Sequence, residues 1–211
     1  ALLRNLGNKI IGIDCSFTGD GGGITYIVEL LNSATPKDHG IKKVIIWGKD
    51  SSLIKIKDKD WLIKRPVKIL SKNIYIRLIW KLFFLPRLLK KEKINLLFDA
   101  NGYPHFFGIP YVTICQNLLP FDLKEAFRYG ISKEFMRFLI LRIIHTLAFN
   151  NSLGVIFLSD DTKEKVNKIV SLKKINSIVI PHGINQKFKE IYSLKNKKIK
   201  NKIKLIYVSR I

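Results

Sequence analysis

Residues 9–31 read KIIGIDCSFTGDGGGITYIVELL, and this stretch decides the fold. Its first six residues form an Ile-rich run typical of a buried strand, and the apolar spacing from residue 23 onward is typical of a helix. The turn between them contains Gly19, Gly21, Gly22 and Gly23. Such glycines let a backbone approach a ligand closely, and the helix N-terminus offers N–H groups to a phosphate or to sugar hydroxyls. The alternative is a flexible strand–helix turn with no ligand.

The spacing of these glycines departs from the two common nucleotide-binding motifs. The sixth position counted from Gly19 is Ile24, and counted from Gly21 it is Tyr26, so G-x-G-x-x-G is not matched. No Gly-Lys-Ser/Thr follows, which excludes a Walker loop. We therefore expect neither a dinucleotide cofactor nor a nucleoside triphosphate here.

More strands and helices alternate along the chain. Strands are predicted at 9–14, 43–48, 94–99, 110–115, 154–159, 177–182 and 203–209, and helices at 23–34, 74–91, 132–150 and 160–170. The strands are short, rich in Ile and Val, and mostly end in a polar residue, as buried parallel strands do. The pattern predicts an α/β fold with a doubly wound, mostly parallel sheet.

The composition is that of a basic globular protein. The 211 residues include 38 Lys+Arg and 16 Asp+Glu, so the formal net charge is +22, and 47% of residues are hydrophobic. That apolar share can build a core, which excludes wholesale disorder. The positive field attracts phosphates and anionic surfaces, and nucleic acid, anionic lipid and sugar-nucleotide diphosphate all remain open as partners.

Cysteine usage and hydropathy indicate the compartment. Cys15 and Cys115 stand far apart, each at the end of an apolar run, and are predicted to be free buried thiols in a reducing compartment. The longest uncharged stretch, 100–121, contains three prolines and cannot be a spanning helix. No signal peptide is visible at the N-terminus. We expect a protein that is soluble or lies on a membrane surface.

Polar residues follow two of the predicted strands. Gln116 and Asn117 come after the strand at 110–115, and His182 and Gly183 end the strand at 177–182. Ligands of open α/β sheets gather at the carboxyl ends of strands, where amides suit sugar hydroxyls or phosphate oxygens better than proton transfer. The alternatives are that Asn117 builds a turn and that His182 is a structural hydrogen-bonder.

Metal sites are not expected. The four histidines and two cysteines show no zinc spacing. Asp58 and Asp60 form a D-x-D pair, but they lie in a Lys-studded stretch that does not follow an apolar strand. Ser159, with Asp160 and Asp161 after it, is explained by a helix N-cap.

The segment 76–91, IRLIWKLFFLPRLLKK, combines aromatic and aliphatic residues with five cations. This pattern suits an anionic membrane surface, and it suits equally a core-facing helix whose lysines reach past the apolar layer to solvent. A second apolar segment, 133–149, is predicted to be core.

The composition changes near residue 186. A Lys-rich stretch at 186–202 is predicted to be a solvated linker, which divides the chain into a Rossmann-like domain at 1–185 and the start of a truncated second domain at 203–211.

Taken in order, these motifs resemble the N-terminal half of glycosyltransferase family 4, the retaining GT-B enzymes. The likeness is greatest to bacterial members that assemble lipopolysaccharide and capsule glycans. The matching elements cover nearly all of residues 9–211, namely Asp14 with GGGITYIVELL, KVIIWG, QNLLPFD, the LILRIIHTLAF helix, GVIFLSD, IPHGIN and YVSR.

The resemblance implies roles for particular residues. Gly22 and Gly23 match glycines that line the cleft near the donor phosphates, and Arg210 matches an arginine that clamps the diphosphate. Gln116 stands where a His commonly contacts the transferred sugar, so a general-base role is not implied there. Gln116 and Asn117 would orient sugar or acceptor, with His182 and Gly183 at the same cleft and no metal needed.

The sequence therefore predicts the acceptor-side part of a retaining glycosyltransferase that uses a nucleotide-sugar donor and a glycan or lipid-linked acceptor. It would work in the cytoplasm or on the inner face of the cell membrane in surface polysaccharide biosynthesis, and the piece is expected to be inactive alone. The alternatives are a basic module that binds anionic lipid or nucleic acid, and a GT-B-fold sugar-nucleotide epimerase or phosphorylase.

Overall fold

The computed structural model describes residues 8–18, 21–130, 132–170 and 175–183. Within them, seven strands form one sheet in the order β3-β2-β1-β4-β5-β6-β7, and every pair of neighbours is parallel. The strands are β1 (Lys9–Asp14), β2 (Ile41–Gly48), β3 (Leu62–Pro66), β4 (Leu96–Asp99), β5 (Tyr111–Cys115), β6 (Gly154–Phe157) and β7 (Asn176–Val179). The predicted α/β, doubly wound fold class is confirmed.

One strand of this sheet, β3, was not predicted from the sequence. β3 reads LIKRP, which has two cations and a proline and little apolar alternation. It can still be a strand because it lies at the sheet edge and pairs only with β2. An edge strand needs one hydrogen-bonded neighbour rather than two, and it tolerates proline for that reason.

The helices confirm the four that were predicted and add shorter ones. They are α1 (Gly22–Ser33), α2 (Asp50–Leu53), α3 (Ile74–Ile79), α4 (Leu85–Lys91), α5 (Leu123–Phe127), α6 (Lys133–Asn151) and α7 (Asp160–Asn167). The side chain of Ser159 accepts a hydrogen bond from the Thr162 N–H and so caps α7. The interpretation of Ser159 as a helix cap is thus correct.

A π-helical turn, Trp80–Phe84, joins α3 to α4 and makes 74–91 one continuous helix. Pro86 has no N–H to give to the carbonyl one turn earlier, so regular α-helical bonding cannot pass through this region. The chain instead closes a wider turn, in which the Leu85 N–H binds the Trp80 carbonyl. The Arg87 guanidinium donates to the Phe83 carbonyl at 2.6 Å. The wider turn places Trp80 and its neighbour Lys81 side by side in the interior.

Helices pack on both faces of the sheet. On one face, α1 buries Ile24, Ile27 and Leu31 against β1 and β2. On the other, the helix 74–91 buries Trp80, Leu85 and Leu89 against β2, β4 and β5. α6 lies on this same second face, because the hydroxyl of Tyr111 in β5 donates to the Ala148 carbonyl at 2.6 Å.

The strand order reverses between β1 and β4. From β1 the chain winds outward through β2 to β3, and it then crosses back to β4 and winds the other way to β7. Ligands of open parallel sheets bind at such a reversal, beside the carboxyl ends of the strands. We refer to the space at the carboxyl ends of β1, β4 and β5 as the crevice.

Cys15 and Cys115 are buried free thiols, as predicted. Burial raises the pKa of Cys115 to about 12, so this thiol stays protonated at neutral pH.

No helix among the described residues has the length and apolar character needed to cross a bilayer. The described residues up to Pro181 belong to one compact unit, and of a second unit only His182 and Gly183 are described. The linker at 186–202 and the strand at 203–209 lie outside the described residues.

Candidate functional site

Two aspartates end the central strands side by side. Asp14 in β1 is the register partner of Asp99 in β4, and both are fully buried. The ammonium of Lys81, from the π-helical turn, lies 2.5 Å from Asp14 Oδ2 and 2.9 Å from Asp99 Oδ2. His105 Nε2 lies 2.5 Å from Asp99 Oδ2. We refer to Asp14, Lys81, Asp99 and His105 as the ionic cluster.

The ionic cluster is held together by charge. Burial alone would lower the pKa of Lys81, but the neighbouring carboxylates of Asp14 and Asp99 outweigh burial and raise it. Burial alone would raise the pKa of Asp99, but Lys81 and His105 outweigh burial and hold it well below its usual range. Lys81 is therefore an ammonium and Asp99 a carboxylate across the physiological pH range.

Asp14, Asp99 and His105 also form a group that could ligate a metal, because their ligand atoms lie within 4.8 Å of one another. Lys81 contacts both carboxylates of this group. Its ammonium supplies the positive charge that a cation would bring, and a divalent ion would have to displace it. The residues present thus fit an internal ion pair better than a metal centre.

The same aspartates shape the loops of the crevice. Asp14 Oδ1 accepts the Ser16 N–H at 2.8 Å, and Asp99 Oδ1 accepts the Asn101 N–H at 2.6 Å. The side-chain amide of Asn101 then donates to the Asp14 carbonyl at 2.9 Å, and the Thr18 hydroxyl donates to Asn101 Oδ1 at 2.8 Å. These bonds fasten the loop after β1 to the loop after β4.

Two aromatic rings roof the ionic cluster. Phe17 and Tyr103 stack with their centroids 4.4 Å apart. The Lys81 ammonium lies 5.4 Å from the Tyr103 centroid and 5.9 Å from that of Phe17, within the range of a cation–π contact. The rings shield the cluster from water, and the cluster in turn orients the rings.

His145 of α6 supports the second loop. Burial lowers the pKa of its imidazole although a hydrogen bond to Gly102 opposes the change, so the ring is neutral at pH 7. Its Nδ1 lies 2.8 Å from the Gly102 carbonyl, which can only accept, and we therefore assign the proton to Nδ1. Gly102 has a positive φ of 74°, a conformation that glycine adopts without strain.

The glycine turn before α1, with Gly21, Gly22 and Gly23, lies next to the loop that begins at Gln116 after β5. We call this second loop the Gln116 loop. A Cβ atom added to Gly23 would lie 3.4 Å from Gln116 Oε1 and 3.3 Å from the Thr18 methyl group. A Cβ atom added to Gly22 would meet nothing within 4 Å. α1 begins after Gly21 with no side-chain cap and no acidic residue in its first turn. This helix N-terminus therefore lies beside an exposed amide, with open space at Gly22.

The side chain of Asn117 forms a hydrogen bond within its own loop. Its Oδ1 accepts the Leu119 N–H at 3.1 Å and so builds the turn that leads into the 3₁₀ segment Leu119–Phe121. This contact matches the structural alternative for Asn117. Its role toward a substrate stays a prediction, as does that of Gln116.

The remaining predicted residues fall into two groups. His182 and Gly183 belong to the second unit, and Arg210 lies outside the described residues. Asp58 pairs with Lys64, and Asp60 with Lys37, at the surface. The roles of His182, Gly183 and Arg210 therefore stay predictions.

The sequence motifs did not predict the ionic cluster. Lys81 looked like one more cation on a basic helix, and His105 lacked metal spacing. A signal was present, because the predicted strands 9–14 and 94–99 both end in aspartate. Two buried carboxylates on adjacent strands are stabilised when a cation lies between them or when they share a proton.

We predict that Lys81→Met destabilises the protein by about 3–5 kcal/mol, because it removes the ammonium that bridges two adjacent buried carboxylates. The triple variant Lys81→Met/Asp14→Asn/Asp99→Asn should recover a large part of this loss, since its amides carry no charge. Urea denaturation gives both free energies of unfolding.

Lys37→Met is the matched control, because this variant also removes a lysine paired with an aspartate, but on the surface. Solvent screens that pair, so stability should barely change. A Lys81→Met variant as stable as the control, or a triple variant less stable than Lys81→Met, would contradict the proposed electrostatics.

A second prediction compares two glycines. Gly102 and Gly108 both have positive φ, 74° and 71°, so alanine strains the backbone equally at the two positions. Only at Gly102 does the new Cβ clash with another residue, at 2.5 Å from His145 Nδ1. Gly102→Ala should therefore cost about 1–3 kcal/mol more than Gly108→Ala in thermal or urea unfolding. Equal costs would show that the His145 contact does not constrain this loop.

Comparison with known proteins adds one structural likeness. No family profile matches the chain, and no curated protein matches it in sequence. Among solved structures, it resembles the crystal structure of UGT73P12 from Glycyrrhiza uralensis in complex with glycyrrhetinic acid 3-O-monoglucuronide. The TM-score is 0.52 at 10% sequence identity, and the match covers 82% of this chain and 48% of that one. The chain thus spans about half the length of the structure it matches.

That neighbour is a GT-B glycosyltransferase. At such low identity the likeness concerns the fold alone. Together with the parallel sheet, its reversal between β1 and β4 and the helices on both faces, it leads to one conclusion: the chain has the Rossmann-like fold found in GT-B glycosyltransferases.

Proposed function

We propose that the chain is the acceptor-side part of a retaining glycosyltransferase of the family 4 type. The full-length enzyme would transfer a sugar from a nucleotide-sugar donor to a glycan or lipid-linked acceptor in surface polysaccharide biosynthesis. It would work in the cytoplasm, peripherally on the inner face of the cell membrane.

One observation carries this proposal: the glycine turn before α1 and the Gln116 loop after β5 open on the same crevice. Gly23 and Gln116 belong to different loops, yet a Cβ on Gly23 would contact the Gln116 amide oxygen. Had the two loops opened on opposite sides of the sheet, no common site could form. The likeness to a GT-B glycosyltransferase, solved with a glycoside bound, supports a sugar-type ligand at such a crevice.

The chemistry of the crevice suits sugar transfer. The side chain of Gln116 is exposed, and its amide can both donate to and accept from sugar hydroxyls. The uncapped N-terminus of α1 carries a partial positive charge and free N–H groups, which suit an anionic phosphate. A leaving diphosphate gains negative charge in the transition state, so donors placed near it stabilise that state selectively.

The proposal assigns the remaining roles from the resemblance. Arg210 would clamp the diphosphate in place of a metal ion, and His182 and Gly183 would line the cleft on the way to the second domain. Asn117 would orient the sugar or the acceptor together with Gln116. The amides of Gln116 and Asn117 are not bases at neutral pH, which fits a mechanism in which attack and departure occur on the same face of the sugar.

We predict that Gln116→Ala lowers the kcat of the full-length enzyme by about 10- to 100-fold, because a hydrogen bond to the reacting sugar is lost. Sugar-nucleotide consumption with a panel of donors and a lipid-linked acceptor measures this effect. Asn151→Ala is the matched control, since Asn151 is another exposed amide but lies at the opposite end of the sheet, just before β6. Unchanged turnover in Gln116→Ala would remove Gln116 from the site.

A second variant tests the space above the glycine turn. Gly22→Leu should leave stability nearly unchanged, because a side chain at this position starts in open space and favours helix. The added side chain should nevertheless fill the crevice and raise the KM for the donor at least about tenfold, the effect expected when a few methylene groups exclude a ligand. An active Gly22→Leu enzyme with a normal KM would contradict a ligand at this turn. Donor turnover without acceptor, yielding an epimerised sugar, would favour the epimerase.

A further inference from the structure

Thr18 connects the loop after β1 with two other parts of the crevice. Its hydroxyl donates to Asn101 Oδ1, in the loop after β4, at 2.8 Å. Its methyl group lies 3.3 Å from the position that a Cβ atom of Gly23 would occupy in the first turn of α1. Only 6% of Thr18 is exposed, so both contacts are shielded from water. The residue thus links the loop after β4 to the glycine turn.

The side-chain amide of Asn101 has one orientation that satisfies both of its neighbours. Its Nδ2 lies 2.9 Å from the carbonyl oxygen of Asp14, which can only accept a hydrogen bond, so the NH₂ group faces Asp14. Oδ1 therefore faces Thr18, and the Thr18 hydroxyl has to be the donor. The backbone N–H of Asn101 donates to Asp99 Oδ1 at 2.6 Å and attaches the same residue to the ionic cluster.

The loop after β4 is also held from its other side, by α6. The imidazole of His145 donates from Nδ1 to the carbonyl of Gly102, which follows Asn101 in the chain. α6 packs through its inner side, and large apolar residues of its outer side are exposed: Met136, Ile140, Ile143 and Leu147. The prediction that 133–149 is core is therefore wrong for the outer side of this helix. The loop after β4 is a fixed support to which Thr18 can attach.

Thr18 also closes a backbone turn in the loop after β1. Its N–H donates to the carbonyl of Cys15 at 3.2 Å. The hydroxyl bond to Asn101 attaches this turn to the loop after β4, and the methyl contact extends the attachment to Gly23. Residues 19–20, which complete the connection to α1, lie outside the described residues. The position of the glycine turn therefore depends on the two contacts of one buried side chain.

We propose that Thr18 and Asn101 are positioning residues for the ligand of the crevice. They hold the first turn of α1 where its free N–H groups and the amide of Gln116 face the same ligand. Without the hydroxyl bond the glycine turn would occupy several positions, and the apparent affinity would fall in proportion to the population of the competent one. This inference rests on the proposed function, because it takes the ligand to be the nucleotide-sugar donor.

The first test measures sugar-nucleotide turnover by the full-length enzyme with two variants of Thr18. Thr18→Val keeps the shape and the methyl contact but cannot donate, whereas Thr18→Ser keeps the hydroxyl. Thr18→Val should raise the KM for the donor about 5- to 10-fold, the effect of one hydrogen bond on the competent population, and leave kcat within about twofold. Thr18→Ser should keep the KM within about threefold of the wild type, since it loses only one methyl contact.

The second test changes the partner of Thr18. Asn101→Asp has nearly the same shape, but it presents an oxygen instead of an NH₂ group to the Asp14 carbonyl, and the two oxygens repel each other. We expect the KM for the donor to rise at least about tenfold. Asn95→Asp is the matched control, because the exposed Asn95 precedes β4 at the opposite end of the sheet. Its Oδ1 accepts the Ile10 N–H, a bond that aspartate retains, so the KM should not change.

Hydrogen exchange separates this inference from the proposed function. If the full-length enzyme consumes no sugar nucleotide, the proposed function fails, and exchange measured on the chain decides the positioning role instead. The Ser16 N–H, bonded to Asp14 Oδ1, should exchange at least about fivefold faster in Thr18→Val than in the wild type and at the wild-type rate in Thr18→Ser. The Thr162 N–H, bonded to Ser159 Oγ at the start of α7, should exchange equally in all three proteins.

Three kinetic results would overturn the positioning role. The first is a normal donor KM in Thr18→Val. The second is an equal rise of KM in Thr18→Val and Thr18→Ser, because the hydroxyl bond would then not explain the effect. The third is a fall in kcat at unchanged KM, which indicates a loss of folded enzyme rather than a displaced glycine turn. For an enzyme without turnover, an unchanged exchange rate of the Ser16 N–H in Thr18→Val has the same meaning.

Discussion

The ammonium of Lys81 between Asp14 and Asp99 is the interaction on which the crevice depends. Two strands that end in carboxylates at adjacent positions would repel each other in a buried sheet. Lys81 neutralises this repulsion. Once the carboxylates are held, their free oxygens accept the N–H groups of Ser16 and Asn101 and set the course of both loops. The ionic cluster, which has almost no contact with solvent, therefore determines the course of the loops that line the crevice.

The helix that supplies Lys81 links three features of the molecule. Pro86 prevents regular helical bonding, and the resulting π-helical turn brings Trp80 and Lys81 inward together. The same wide turn leaves Phe83 and Phe84 outside. The packing of Trp80 in the core, the burial of Lys81 in the ionic cluster and the exposure of Phe83 and Phe84 therefore come from a single irregular helix.

The candidate site was partly predictable from the residues. Gly23 and Gln116 could be expected together, because both follow strands whose carboxyl ends share one edge of a parallel sheet. The contribution of Asn117 to its own turn was an open alternative and is now seen. Lys81 and His105 could not be placed, since their partners lie 67 and 6 residues away, and no spacing rule covers such contacts. β3 was missed because an edge strand does not need the apolar pattern that identifies a central one.

The sequence by itself determined the alternation of strands and helices, the parallel sheet and the position of the glycine turn, because each of these depends on local periodicity and backbone freedom. Only the tertiary structure decided which charges are buried together, which loops share the crevice and which side of the helix 74–91 faces solvent. Those properties depend on contacts between residues distant along the chain, and such contacts exist only once the sheet is assembled.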